Sequence, residues 1–282
     1  MTPKTPSHPI IDVHAHLPTI EYLKTGVFGS LSNVSPKSIE EMIREYDEAK
    51  VDKITILGMD AETTSGYKVS NDYIAKVVDE YPERFIGFAS VDPHKGRMAI
   101  KELERAVKDL KLKGLKLHPI FQKFFPNDKS VYPLYDKCVE LGIPILFHGG
   151  FELVGAGQKG GEGVRLKYAR PMFFDDVAAD FPELKICIAH PGWPWIDEQI
   201  AVVMHKGNVF MDLSGVRPKY FGNMQSLMTY LKVEIFNSKV MFGTDYPFVN
   251  PSTWLREFVE LKLKPEIKKK ILGENARKFL GL

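Results

Sequence analysis

Ile10-Ile11-Asp12-Val13-His14-Ala15-His16 is a short apolar run that ends in His-x-His. In a β-strand successive side chains alternate between faces, so His14 and His16 project from the same side. Two neutral imidazoles at the end of a buried strand form one edge of a metal site, and a pair of hydrogen-bonded core histidines accounts for them as well. The other apolar runs decide between these readings. Strand-like segments lie at Pro9–Val13, Lys53–Met59, Phe85–Val91, Gly114–His118, Ile143–His148, Lys185–His190, Val209–Leu213 and Val240–Thr244. Helix-period segments alternate with them at Pro36–Ala49, Asn71–Tyr81, Arg97–Leu110, Val131–Leu141, Phe174–Phe181, Trp195–His205, Met224–Phe236 and Pro251–Leu261. Such alternation, with short Gly/Pro punctuation, implies parallel βαβ pairing. Eight units averaging about 34 residues predict an α/β chain folded as a (β/α)8 TIM barrel. The competitor, a doubly wound open sheet, often carries a Gly-rich phosphate turn after its first strand, and none follows Val13. Residues 1–282 are read as one such domain, with an N-terminal tail over 1–9 and a closing helix at Glu274–Leu280.

In a barrel of this kind chemistry sits at the C-terminal ends of the strands. Strand 1 ends in His14 and His16. Strand 4 places Lys116 and His118 on one face, strand 5 ends in His148-Gly-Gly, strand 6 in His190-Pro-Gly, and strand 8 in Thr244-Asp245-Tyr246-Pro247. Five of the eight histidines therefore meet at one mouth with a carboxylate and a lysine. Chance places one or two histidines there, hardly five. Neutral histidines with one carboxylate suit a single divalent ion: Zn²⁺ first, with Mn²⁺, Fe²⁺ or Co²⁺ also compatible, because affinity alone does not choose. Three nitrogens and one oxygen leave room for a water made acidic by the ion, and a histidine held off the metal can serve as acid or base.

Composition narrows the class. The 282 residues carry 38 basic and 36 acidic side chains, a net charge of +2, which gives no case for nucleic acid or an anionic membrane as partner. No apolar run is long enough to span a bilayer. Met1–Pro9 has three prolines and no apolar core, so a signal peptide is not expected. The two cysteines, Cys138 and Cys187, read as buried thiols of a reducing cytoplasm. A small molecule is the expected partner.

Asp-x-His-x-His at Asp12–His16, Phe-Pro-x-Leu-Lys at Phe181–Lys185, Ala-His-x-Gly at Ala189–Gly192, Phe-Gly-Thr-Asp-Tyr-Pro-Phe at Phe242–Phe248 and the closing Gly-Glu-Asn-Ala-Arg-Lys-Phe-Leu together resemble the amidohydrolase superfamily. Within it they resemble the branch that includes aminocarboxymuconate-semialdehyde decarboxylase. The resemblance implies one metal, usually zinc, held by His14, His16, His148 and Asp245, with His190 beside the metal water to activate it. It also implies a homo-oligomer, dimer or larger, and no organic cofactor. Binuclear members carry a carbamylated strand-4 lysine. Lys116 is on that strand but two residues short of its end, where His118 stands. Lys116 is therefore read first as the charge that neutralises a substrate carboxylate, or as the partner of a buried acid such as Asp12, with a carbamate bridge to a second metal as the remaining alternative. His118 is read as a substrate hydrogen-bonder or a loop cap. Aromatic-acid decarboxylases of the branch often replace the first histidine with glutamate, and this chain does not. It also lacks much of the material that the semialdehyde decarboxylases insert after strands 1 and 5.

Phe121, Phe151, Trp193, Trp195, Tyr246 and Phe248 follow strands and predict an aromatic mouth. Arg170 and Arg217 are candidate carboxylate forks, against the alternative of solvated surface arginines. Gly155–Gly163 reads as a flap over the mouth, and His8, His94 and His205 as peripheral. The expected function is a metal-dependent hydrolase in which an activated water attacks an ester, lactone or amide while His190 moves protons and Asp245 assists. The alternative on the same residues is non-oxidative decarboxylation of an unsaturated or aromatic acid. A third reading, a barrel that binds without turnover, is disfavoured because the whole metal set is kept.

Overall fold

The structure is a computed structural model that describes residues 9–19 and 35–282; most of the N-terminal tail, His8 included, lies outside the described residues. Eight parallel strands form one sheet in chain order: β1 (Ile11–Ala15), β2 (Lys53–Leu57), β3 (Phe85–Ser90), β4 (Leu115–Leu117), β5 (Ile145–Phe147), β6 (Ile186–Ile188), β7 (Val209–Asp212) and β8 (Val240–Met241). The chain following β8 bonds back onto β1, through Val13 N–H to Phe242 O (3.0 Å), Asp245 N–H to His14 O (2.8 Å) and His16 N–H to Tyr246 O (2.8 Å). The barrel is thereby closed. The observed strands are shorter than the apolar runs, because the last residues of each run leave the ladder to form the mouth.

Outer helices follow as expected: α1 (Ile39–Glu48), α2 (Asn71–Glu80), α3 (Arg97–Lys108), α4 (Tyr132–Leu141), α5 (Met172–Asp180) and α6 (Ile196–His205), then α7 (Gln225–Tyr230), α8 (Glu234–Asn237) and α9 (Pro251–Val259). The single helix expected over Met224–Phe236 is two short ones, broken at Leu231–Val233, where Val233 is extended. An antiparallel hairpin, Met59–Ala61 with Tyr67–Val69, was not anticipated; it extends the β2 end toward the mouth.

Alternate side chains of the strands fill two cores. Leu115, Leu117, Ile145 and Phe147 face the helices, while Val13, Leu57, Phe88, Leu146, Cys187, Phe210 and Met241 form a compact interior cluster. Phe279 of the C-terminal helix, Asn275–Leu280, joins that cluster, its ring 5.4 Å from Phe210. Gly114 makes room within it, since a Cβ there would lie 2.4 Å from the Phe88 ring. Apolar side chains thus occupy the interior up to the level of Lys116, and the polar residues lie above.

β1 departs from strict alternation. Its register against β2 slips between Asp12 and Ala15, so one extra residue is accommodated there. Val13 joins the interior cluster, His14 lines the mouth, and Ala15 belongs to the outer core. Such a bulge re-aims side chains without lengthening the partner strand. Asp12 is left on the helix side, where its carboxylate accepts from Tyr46 Oη (2.8 Å), Thr244 Oγ1 (2.6 Å) and His14 N–H (2.9 Å). The expected alternative of a Lys116–Asp12 pair is therefore corrected: the two side chains point to opposite sides of the barrel wall.

Candidate metal centre and active site

A cavity of about 310 Å³ opens at the C-terminal ends of the strands. Its floor and walls include His14, His16, Lys116, His118, His148, His190 and Asp245, seven of the nine residues singled out by sequence as site residues. The other two lie elsewhere. Arg170 is half exposed and forks onto Glu198 at 2.7–3.1 Å. Arg217 pairs with Glu257. Neither lines the cavity, because each already has an acidic partner on an outer helix. Of the expected aromatic mouth, Phe121, Phe151, Trp193 and Phe248 do line it. Tyr246 is instead buried against Tyr46, and Trp195 precedes α6. The glycine-rich stretch lies beyond the cavity wall, which takes only Phe151–Val154 from this loop.

Three donors converge on one point. Asp245 Oδ1 lies 3.4 Å from His14 Nε2 and 3.3 Å from His16 Nε2. Four ligands around an ion at about 2.1 Å stand roughly 3.4 Å apart along a tetrahedral edge, so these separations fit a bound divalent ion. The supports behind them fit as well. His14 Nδ1 is 3.1 Å from Asp212 Oδ2, which places the imidazole proton at Nδ1 and leaves the Nε2 lone pair facing Asp245. A carboxylate behind a metal-binding histidine fixes its tautomer and raises its basicity. Burial, with the Lys116 charge second, lowers the His14 pKa to about 3; burial also lowers that of His16. Both are neutral, as ligands must be. Burial works against ionisation of Asp245, but the His16 hydrogen bond and the surrounding histidines outweigh it and hold its carboxyl far below the usual range.

Asp212 and Ser214 are functional candidates beyond those expected from sequence, although Val-Phe-Met-Asp ends a strand just as the others do. Ser214 Oγ donates to Asp212 Oδ1 and so accepts from His190 Nδ1 at 2.8 Å. That leaves His190 Nε2 as a free lone pair on a ring 4.8 Å from His14 and 4.9 Å from His148. His190 and Asp245 both adopt left-handed backbone, with φ +64° and +60°. Such strain is rare outside glycine and clusters at functional sites. Gly215 must be small, since a Cβ there would lie 2.9 Å from His190 Nδ1 and 3.4 Å from Asp245 Oδ2.

His148 does not join the three converging donors. Its ring stacks on His118 at 4.0 Å, and its Nε2 is buried without a hydrogen-bond partner among the described residues, 3.6 Å from Glu152 Oε2. Glu152 is the second missed residue: it stands in the loop after β5, where no periodicity marks it. Its Oε2 lies 3.2 Å from His118 Nε2, and its Oε1 accepts from Val154 N–H at 2.9 Å. His118, Glu152 and His148 are close enough to hold an ion together. However, Phe121 N–H points at His118 Nδ1 (3.4 Å), which puts that ring's proton on Nε2, toward Glu152. A protonated Nε2 is a donor and not a ligand. Burial raises Glu152 to about 7 and lowers Lys116 to about 8. Among the described residues nothing hydrogen-bonds to Lys116 Nζ; Asp212 and Asp245 are the acids whose charges favour its protonated form most.

The amidohydrolase family model matches residues 11–282. A 2-amino-3-carboxymuconate-6-semialdehyde decarboxylase of Dictyostelium discoideum is 29% identical over 238 residues, covering 75% of this chain and 65% of that protein. The gamma-resorcylate decarboxylase of a Polaromonas species is 25% identical, with 86% and 84% covered. Among solved structures, an uncharacterized TIM-barrel protein of Bordetella bronchiseptica superposes with a TM-score of 0.82 at 24% identity, covering 97% of this chain and 98% of the other. A 5-carboxyvanillate decarboxylase of Novosphingobium aromaticivorans, solved with manganese, gives 0.72 at 18% identity, with 98% and 97% covered. The closed eight-stranded barrel and the motifs that line its mouth thus have one common source: the chain, which spans 65% of the semialdehyde decarboxylase that it resembles, belongs to the amidohydrolase superfamily.

Proposed function

We propose that this enzyme is a metal-dependent, non-oxidative decarboxylase of a small unsaturated or aromatic carboxylic acid. The observation that carries this reading is Lys116: a fully buried cation on the cavity floor with no hydrogen-bond partner among the described residues. A desolvated, unpaired ammonium is costly, and a substrate carboxylate offsets that cost where a neutral ester, lactone or amide does not. The decarboxylase names of the relatives support the same choice, which displaces the hydrolase expected from sequence.

His14, His16 and Asp245 would hold the ion, with His148 added by resemblance. When bound, a divalent cation supplies Lewis acidity that anchors the substrate and draws electron density from the bond to be broken. Zn²⁺ and Mn²⁺ both suit this N₂O donor set, and manganese occupies the related 5-carboxyvanillate decarboxylase. The carbon–carboxyl bond breaks with its electron pair left on carbon, CO₂ departs, and a proton forms the new C–H bond. His190 Nε2 is the base positioned to take a proton from substrate or water and return it to that carbon; Ser214 and Asp212 hold the ring through Nδ1. Phe151, Trp193 and Phe248 exclude water from the departing carboxylate. A cytoplasmic homo-oligomer, dimer or larger, completes the reading; no helix among the described residues is long and apolar enough to cross a membrane.

The test is turnover of metal-reconstituted protein on unsaturated and aromatic acids, with CO₂ measured against substrate lost and lactones, esters and amides assayed in parallel. One CO₂ per acid consumed is the expected result. Hydrolysis of a lactone or amide with no CO₂ from any acid would return the assignment to hydrolase.

A further inference from the structure

Among the described lining residues, Glu152 is the one acidic group that the reaction does not use. Its surroundings fix what it can do. Oε1 accepts from Val154 N–H, and Oε2 lies 3.2 Å from His118 Nε2, whose tautomer is set by Phe121 N–H on the opposite nitrogen. The backbone hydrogen bond holds one oxygen in place and the His118 ring flanks the other; ionised, the group offers only lone pairs. Those lone pairs face a cavity that otherwise presents apolar carbon at Met59, Phe121, Phe151 and Phe248, with a single cation, Lys116, on the floor. No arginine lines the cavity among the described residues.

We propose that Glu152 is a specificity-determining residue that selects substrates carrying one carboxylate and a separate hydrogen-bond donor, a hydroxyl or amino group, and rejects those with a second carboxylate. The inference rests on the decarboxylase reading only in taking the substrate to be a carboxylic acid. The carboxylate goes to Lys116 and the metal, and the donor goes to Glu152. A second carboxylate at that end would face the Glu152 carboxyl in a low-dielectric pocket, where two carboxyls cannot both ionise freely, with no cation among the described residues there to answer it.

The experiment is calorimetric binding of benzoate, 3- and 4-hydroxybenzoate, isophthalate and terephthalate to manganese-loaded protein. It compares wild type, Glu152→Gln and Lys116→Met, each with metal content and melting temperature checked. In wild type one hydroxybenzoate binds about tenfold more tightly than benzoate, the size of effect a hydrogen bond to a charged acceptor gives, and both diacids bind more weakly than benzoate. Glu152→Gln brings all five ligands within about threefold of one another, whereas Lys116→Met weakens every carboxylate and keeps the ranking. An unchanged ranking in Glu152→Gln overturns the proposal, as does tighter binding of a diacid to wild type. If Glu152→Gln fails to fold, Glu152→Asp provides the test: it withdraws the carboxylate by one methylene, and retention of the full hydroxyl preference would overturn the assignment. CO₂ release is scored separately, so loss of the decarboxylase reading leaves the ligand ranking as an independent result.

Discussion

Two histidine–carboxylate groups face each other across the mouth, and they differ in where the carboxylate stands. At His14, Asp212 sits behind the ring on Nδ1, and the Nε2 lone pair is turned toward His16 and Asp245. At His118 the arrangement is reversed: a backbone N–H holds Nδ1 from behind, and Glu152 stands in front, 3.2 Å from Nε2. The residue types and spacings are nearly the same, 3.1–3.4 Å in the first group and 3.2–3.6 Å in the second. One arrangement turns a lone pair toward the carboxylate in front, as a metal ligand requires, and the other turns an N–H there. What stands behind a histidine decides which nitrogen is free, and that decides its chemistry.

The largest effects follow from the first group. His14→Ala and Asp245→Ala are each expected to lose the bound metal and all turnover, scored as equivalents per chain by elemental analysis. Glu152→Gln is the matched control and keeps its metal. A mutant of Glu152 that loses metal along with the His14 mutant would erase the distinction drawn between the two groups. His190→Asn comes next: it is expected to retain the metal and abolish turnover, because Nε2 carries the proton while Nδ1 only holds the ring. Full activity in that variant would remove His190 from the proposed chemistry. Asp212→Asn is smaller. Losing the carboxylate behind His14 should weaken metal binding by roughly 10–100-fold without changing the number of sites. A competition titration with a chelator measures it, and unchanged affinity would show that Ser214 Oγ, 3.1 Å from His14 Nδ1, is enough to orient that ring.

The barrel and most of its mouth could be read from residue order, because the information is local. Alternating strand and helix periods specify βαβ units, and residues at strand ends inherit their position from the fold. His14, His16, Lys116, His118, His148, His190 and Asp245 were found that way. Asp212 is equally legible, at the end of β7, but a lone Asp after an apolar run carries less signal than a strand-end His or Thr-Asp. Glu152 was not legible: it is a loop residue whose role comes from the course of the chain after His148. The β1 bulge was hidden for the same reason, since a register slip is a property of two strands and not of one sequence run. The arginines misled because a guanidinium near a strand end looks the same whether it faces a substrate or, as Arg170 and Arg217 do, a glutamate on the next helix.

Those arginines give the smallest expected effect and sharpen the contrast with the cavity. Arg170 and Arg217 are 50% and 38% exposed, each engaged with one glutamate, whereas Lys116 is buried and unbonded among the described residues. An exposed ion pair exchanges protein contact for water contact at little net gain and is screened by salt. Arg170→Ala and Arg217→Ala should therefore leave metal content, ligand ranking and turnover at wild-type values, with at most a slight fall in melting temperature that disappears at high salt. Lys116→Met, by contrast, removes the only cation among the described lining residues and should impair every carboxylate ligand. Steady-state kinetics on the three variants makes the comparison. A rise in KM confined to Arg170→Ala or Arg217→Ala would mean that the arginine leaves its glutamate for the substrate, and that the mouth closes further in the working enzyme than its present geometry shows.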